Sequence, residues 1–223
     1  MSYIDALFKK DEDKIYVVER DPKKGRIFTE YDARYVFYYE DARGKHRSMT
    51  GAPLQRVQCA TNKEFIKEQR IRSNKQLYEH DINPVFRCLE ENYLGKETPK
   101  LNVMFFDIEV DFDPDRGYST TDDPFMPITA ISCYMSWTDQ LVTFAVPPKT
   151  ISMADAKELT KRFDNTMLFE KEKDMLDAFL ELVQDADILS GWNSEGYDIP
   201  YTVGRIQKVL SSDDTRRLCF WGE

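Results

Sequence analysis

The chain has 223 residues, 41% hydrophobic and 32% charged, with a formal net charge of −9. That length and balance fit one large or two small globular domains and exclude a disordered or fibrous chain. No apolar run reaches the ~18 residues of a membrane span, and "MSYIDALFKKDEDK" places acids where a secretory leader needs an apolar stretch. The chain is therefore expected to stay in the cytoplasm, away from membranes. Four cysteines, Cys59, Cys88, Cys133 and Cys219, form no C-x-x-C pair, which argues against a zinc site or disulfide framework and for reduced thiols.

Along the first hundred residues, "DKIYVVERD" alternates as a strand. A Lys/Gly turn at "PKKGR" leads to "RYVFYYED" as the next strand, and "EDARGKHRS" reads as a hairpin turn. Thr61 with Glu64 three residues on has the spacing of a helix start. "LGKETPK", residues 94–100, marks a boundary between a small mixed α/β module at 1–100 and a second domain at 101–223. Beyond it, "LNVMFFDIEV" is a near-continuous apolar run suited to a buried strand, with "ITAISCYMSW" and "QLVTFAV" as the next two. Leu176, Phe179, Leu180 and Val183 recur at helical spacing. "ADILSGWN" returns to a strand and "IPYTVGRIQKVL" to a helix.

Charge divides with this boundary. Residues 1–100 carry 20 Lys and Arg against 17 acids, and residues 101–223 carry 11 against 23. Such asymmetry points to two functional surfaces. Residues 43–75 hold nine basic and two acidic side chains, a patch for phosphate or simply a solvated face.

In a strand, residues two apart share a face, so Asp107 and Glu109 emerge together while Ile108 and Val110 face the core. Two carboxylates side by side repel unless a cation lies between them, and a hard divalent ion is the natural partner. Alone, the pair also reads as a strand end emerging into water. Asp111, Asp113 and Asp115 fail as a calcium loop, because the glycine and glutamate such a loop requires are replaced by Arg116 and Asp122. In "LSGWNSEGYDIPY" a strand ends at Gly191 and a turn carrying Asn193 and Asp198 leads into a helix containing Pro200.

These two blocks resemble the first and second motifs of the proofreading 3′→5′ exonuclease domain of family-B DNA polymerases, particularly those of T4-like bacteriophages. "FFDIEV" matches the first motif and "GWNSEGYDIPY" the more specific second, and "YEDARGKHRSMTGAPLQRV" looks like the N-terminal domain of the same enzymes. The resemblance implies an α/β chain: an α+β N-terminal domain, a possible template or RNA binder, then a ribonuclease-H-like exonuclease domain incomplete at its C-terminus. It further implies that Asp107 bridges two divalent ions, Mg²⁺ or Mn²⁺, that Glu109 holds the ion of the attacking water, and that Asp198 is the second-motif acid. Asn193 and Tyr197 match positions around the frayed primer end, with core packing an equal reading for Tyr197.

The family's third motif, a Tyr and an Asp on a later helix, has no counterpart here, and Asp213 and Asp214 come too soon to replace it. The apolar ending "LCFWGE" suggests an interface. The expectation is therefore the front portion of a polymerase, completed by a second polypeptide or a longer chain, acting on a single-stranded 3′ end of primer-template and nearly inactive alone. The rival reading is a non-catalytic nucleic-acid-binding or assembly module. A free-standing nuclease of this type requires a fourth acid.

Overall fold

Two sets of strands, each closing on its own apolar cluster, divide the chain into units Met1–Lys100 and Leu101–Glu223. The computed structural model describes residues 2–222. The last residue of the apolar ending therefore lies outside the described residues.

In the first unit, β1 (Ser2–Lys9), β2 (Lys14–Asp21) and β3 (Gly25–Asp32) form an antiparallel meander. The Lys/Gly turn falls between β2 and β3, where Asp21 Oδ1 accepts the N–H groups of Lys23 and Lys24. Gly25 there takes a φ of 75°, open to glycine at little cost. This corrects the expectation that "RYVFYYED" follows the turn directly, since β3 intervenes. That segment is β4 (Tyr35–Glu40), which with β5 (His46–Arg47), β6 (Pro53–Cys59) and β7 (Leu77–Tyr78) makes a second sheet in the order β5-β6-β4-β7.

Helix α1 (Asn62–Ile71) starts at the anticipated cap: Thr61 Oγ1 accepts the Glu64 N–H at 3.2 Å, and Glu64 reaches back to the Ala60 N–H. Helix α2 (Pro84–Tyr93) is capped by Asn83, with proline in its first turn. Ile15, Val17, Tyr35, Cys59, Cys88 and Tyr93 share the core between these elements.

The second unit runs β8 (Val103–Val110), β9 (Ile128–Met135), β10 (Gln140–Ala145), α3 (Met153–Thr160), β11 (Thr166–Leu168), α4 (Glu172–Leu182), β12 (Ile188–Ser190) and α5 (Asp198–Val209). A 3₁₀ turn over Asp213–Leu218 follows. The sheet order is β11-β10-β9-β8-β12. Strands β8, β9 and β10 are an antiparallel meander, and β12 lies parallel to β8 on its free side. A three-strand meander extended by a parallel fourth strand is the ribonuclease-H-like core.

Met175, Leu176, Phe179 and Leu180 are wholly buried along one stripe of α4. They pack with Met104, Phe106 and Ile108 of β8, Ile131 and Cys133 of β9, and Tyr201 and Ile206 of α5. These helices cover one sheet face, so β8 is not buried on both sides as its apolar run suggested. Met104, Phe106 and Ile108 point into the core, while Phe105, Asp107 and Glu109 are exposed. Phe179 meets Phe106 with ring centroids 5.6 Å apart. Replacing Phe179 by Ala should cost ~3–5 kcal/mol in urea denaturation, and a loss under ~1 kcal/mol would contradict this packing.

Candidate functional site

Asp107 and Glu109 stand on the outward face near the end of β8, opposite Ser132 and Ala130 of β9. The small neighbours leave space around both carboxylates. Just beyond, pairing shifts by a residue between Glu109 and Val110, and Thr129 Oγ1 donates to the Glu109 carbonyl at 3.1 Å. The ladder is thus irregular immediately after the second acid and ends one residue later, at Val110.

Asp198 reaches the same place from the other side. Strand β12 ends one residue before Gly191, where an added Cβ would lie 2.3 Å from the Phe106 carbonyl oxygen. Only glycine lets the chain turn that close to β8. Asn193 then takes a left-handed φ of 54°, and its carbonyl accepts the N–H groups of Gly196 and Tyr197, each at 3.0 Å. Asparagine tolerates that conformation better than most residues. The turn delivers Asp198 as the first residue of α5, 4% exposed, where Oδ1 accepts the Ile108 N–H at 3.2 Å. Ile108 is the residue between the two β8 acids in sequence, so Asp198 is tied to the same strand end, within the field of Asp107.

Burial, chiefly, holds the Asp198 carboxyl above the ordinary range; the nearby Asp107 charge adds to this, and the Ile108 N–H works against it. Among the described residues no cationic side chain pairs with Asp107, Glu109 or Asp198. A carboxyl raised in the folded state contributes stability that is present below its unfolded pKa and lost as pH rises through the folded value. Asp198→Asn should therefore raise the Tm of the metal-free chain at neutral pH and flatten its decline above the ordinary carboxylate range. An unchanged profile would contradict the burial.

No three His, Cys, Asp or Glu side chains among the described residues converge as a ready-made metal cage. The donor set nonetheless fits a hard divalent cation: it offers oxygens only, and a buried carboxylate stands within the field of a second with no counter-charge. The acids beyond β8 have other duties. Asp113 Oδ1 accepts the N–H groups of Asp115 and Arg116, which hold it below the ordinary range, and Asp111 bonds the Phe112 N–H. Asp214 accepts from Ser211 and pairs with Arg217, a turn role.

Asn193 is exposed at the turn. Tyr197 is half-buried, packs against the core and stacks on Tyr201 with centroids 5.3 Å apart. The freely exposed aromatic of this motif is Trp192, at 93%, which sequence reasoning did not single out. In the first unit, Arg72 and Lys75 lie over Tyr39 and pair with Glu68 and Asp41. Arg43, Lys45, Arg56, Lys63, Lys67 and Arg70 are exposed and in no ion pair among the described residues. No described helix is long and apolar enough to cross a membrane.

The profile of the DNA polymerase family B exonuclease domain matches residues 55–223, and the chain belongs to that family. It is 32% identical over 139 residues to the DNA-directed DNA polymerase of Escherichia phage RB69, a match covering 53% of this chain and 15% of that protein. To the DNA polymerase catalytic subunit of Saimiriine herpesvirus 2 (strain 11) it is 29% identical over 117 residues, 52% of this chain and 11% of the relative. A 53-residue stretch, 23% of this chain and 6% of the relative, is 36% identical to the DNA-directed DNA polymerase of Enterobacteria phage T4. The chain thus spans a small fraction of the length of these curated relatives.

Proposed function

We propose that this chain is the N-terminal portion of a family-B DNA-directed DNA polymerase and contributes to its 3′→5′ proofreading exonuclease. The observation that carries the reading is the Asp198–Ile108 contact, which ties the second-motif acid to the backbone of the residue that separates the two acids of the first in sequence. Asp107, Glu109 and Asp198 would hold two divalent ions, Mg²⁺ or Mn²⁺. Bound ions of this kind lower the pKa of an attacking water and neutralise charge developing on phosphorus and the leaving 3′-oxygen. The chain's own part is to hold Asp198 ionisable yet shielded and to present Asp107 and Glu109 on an open face. Asn193 and Tyr197 flank Asp198 and are the proposed contacts for the single-stranded 3′ end. Tyr197 would meet that end with the part of its ring left exposed, since one ring face is taken by Tyr201.

In this reading a fourth acid, the Tyr-Asp motif and the polymerase domains come from polypeptide outside these residues, on the same or a second chain. Residues 1–223 alone should bind metal weakly and hydrolyse DNA slowly. By analogy with the phage relatives, the enzyme would act in the cytoplasm of an infected bacterium. The six unpaired basic residues between Arg43 and Arg70 support a second reading, a non-catalytic module that holds template or RNA and associates with a separate polymerase.

One experiment separates them: purify the native assembly through this chain and incubate it with Mg²⁺ and 3′-labelled single-stranded DNA. Stepwise release of mononucleotides from the 3′ end is the expected result. Tight DNA binding without hydrolysis in Mg²⁺ or Mn²⁺ would overturn the exonuclease reading in favour of the module.

A further inference from the structure

We infer that a strap formed by residues 119–127 grips one face of α5 and sets the depth at which Asp198 meets β8. This makes Arg205, Tyr201 and Gly204 positioning residues for the acid, and their importance for hydrolysis rests on the function proposed above. The strap belongs to the connection between the end of β8 and the start of β9, anchored where the Asp111 N–H donates to the Pro127 carbonyl. Its own shape is fixed by Ser119, which is buried and whose Oγ accepts the Met126 N–H at 2.9 Å.

Four residues of α5 at the spacing of a single helix face meet this strap. Tyr201 Oη donates to the Met126 carbonyl at 2.8 Å. Arg205 Nη1 donates to the carbonyls of Pro124 and Phe125 at 2.9 and 3.3 Å. Lys208 Nζ reaches Asp123 at 3.1 Å. Gly204 lies between them, and a Cβ added there would stand 2.6 Å from Pro124 Cγ. The strap is held from its outer side as well, since Arg116 stacks 3.6 Å over the Phe125 ring and pairs with Asp123. Glu172 of α4 completes the clamp by binding both the Arg205 guanidinium and the Ile128 N–H, the first amide of β9.

The geometric consequence follows from helix rigidity. Asp198 stands at the N-terminus of α5, and Tyr201, Gly204 and Arg205 lie within the next two turns. A helix cannot shift at these residues without moving its first residue. The strap joins the same two strands that carry and flank Asp107 and Glu109, so the clamp references the second-motif acid directly to the first. Glycine at 204 is what allows that close approach, and a side chain there would force α5 and the Pro124 ring of the strap apart.

The reporter is the Ile108 amide, which donates to Asp198 Oδ1. Hydrogen exchange would be measured by NMR on the metal-free chain for wild type, Gly204→Ala and Tyr201→Phe. Asp198→Ala defines the rate without the acceptor, and the Cys133 amide reports global opening. Both variants should speed Ile108 exchange, by about 3- to 10-fold, beyond any change at Cys133. Exchange at Ile108 that stays at the wild-type rate in both variants, or rises only in step with Cys133, would overturn the inference. Because no metal is present, this outcome is independent of whether the acids bind ions.

Discussion

Replacing Asp107 and Glu109 together by Ala in the polymerase assembly proposed above should abolish release of nucleotides from a 3′ end while leaving nucleotide incorporation intact. Both side chains project from the exposed face of β8 and contribute nothing to the core beneath it, which is built by Met104, Phe106 and Ile108. Removing Asp107 also relieves repulsion with Asp198, so the fold should be no less stable. The expected drop exceeds ~10³-fold, the scale seen when charge-stabilising groups are lost from an active site. Parallel loss of hydrolysis and incorporation, or a fall in thermal stability, would count against the assignment of these residues to the exonuclease alone.

The second large effect concerns stability. Glu172 and Arg205 form an ion pair with side chains 11% and 10% exposed, and Glu172 Oε1 also accepts the Ile128 N–H at 2.8 Å. Glu172→Ala would leave a buried guanidinium with carbonyl partners only and orphan a backbone N–H. Breaking a buried pair on one side in this way should cost ~3–5 kcal/mol in chemical denaturation. Glu172→Gln, which retains an acceptor, should recover part of that loss. The exposed Lys161–Glu158 pair is a useful contrast, since its removal should leave stability unchanged within error. Equal effects for the two pairs would show that burial does not decide the difference.

Much of the second unit was legible because its periodicities are strong and its motifs local. The helical stripe through Leu176, Phe179 and Leu180 is buried as read, and the capping signal at Thr61 marks a real helix start in the first unit. Of the strands that escaped, two did so for identifiable reasons. "GRIFTEYD" alternates weakly and follows immediately on turn residues, so β3 merged with its turn. The opening residues of β1 were weighed as a leader rather than as a strand. Helix α3 had a readable start in Ser152, whose Oγ accepts the Asp155 N–H at 3.1 Å, but the short helix lacks a broad apolar stripe.

The candidate site divides in the same way. Alternation along β8 placed Asp107 and Glu109 on one face without any structure. The contact between Asp198 and the Ile108 amide spans 90 residues and depends on tertiary pairing of β12 with β8. The clamp through Arg205 and Glu172 was likewise hidden, because a charged residue on an amphipathic helix reads as solvated until its buried partner is known. Tyr197 and Trp192 show the limit most simply. Both are aromatic residues of one motif, and only the fold decides that the first stacks on Tyr201 while the second faces water.

Asp107, Glu109 and Asp198 would together bind divalent metal, and Mn²⁺ paramagnetic broadening of the amide NMR signals tests this even when affinity is low. Titrating the 223-residue chain should broaden the amides of residues 106–110 and 193–199 first, and Asp198→Asn should weaken that response. Broadening confined to the Asp111–Asp115 loop, or an identical response in Asp198→Asn, would contradict the account.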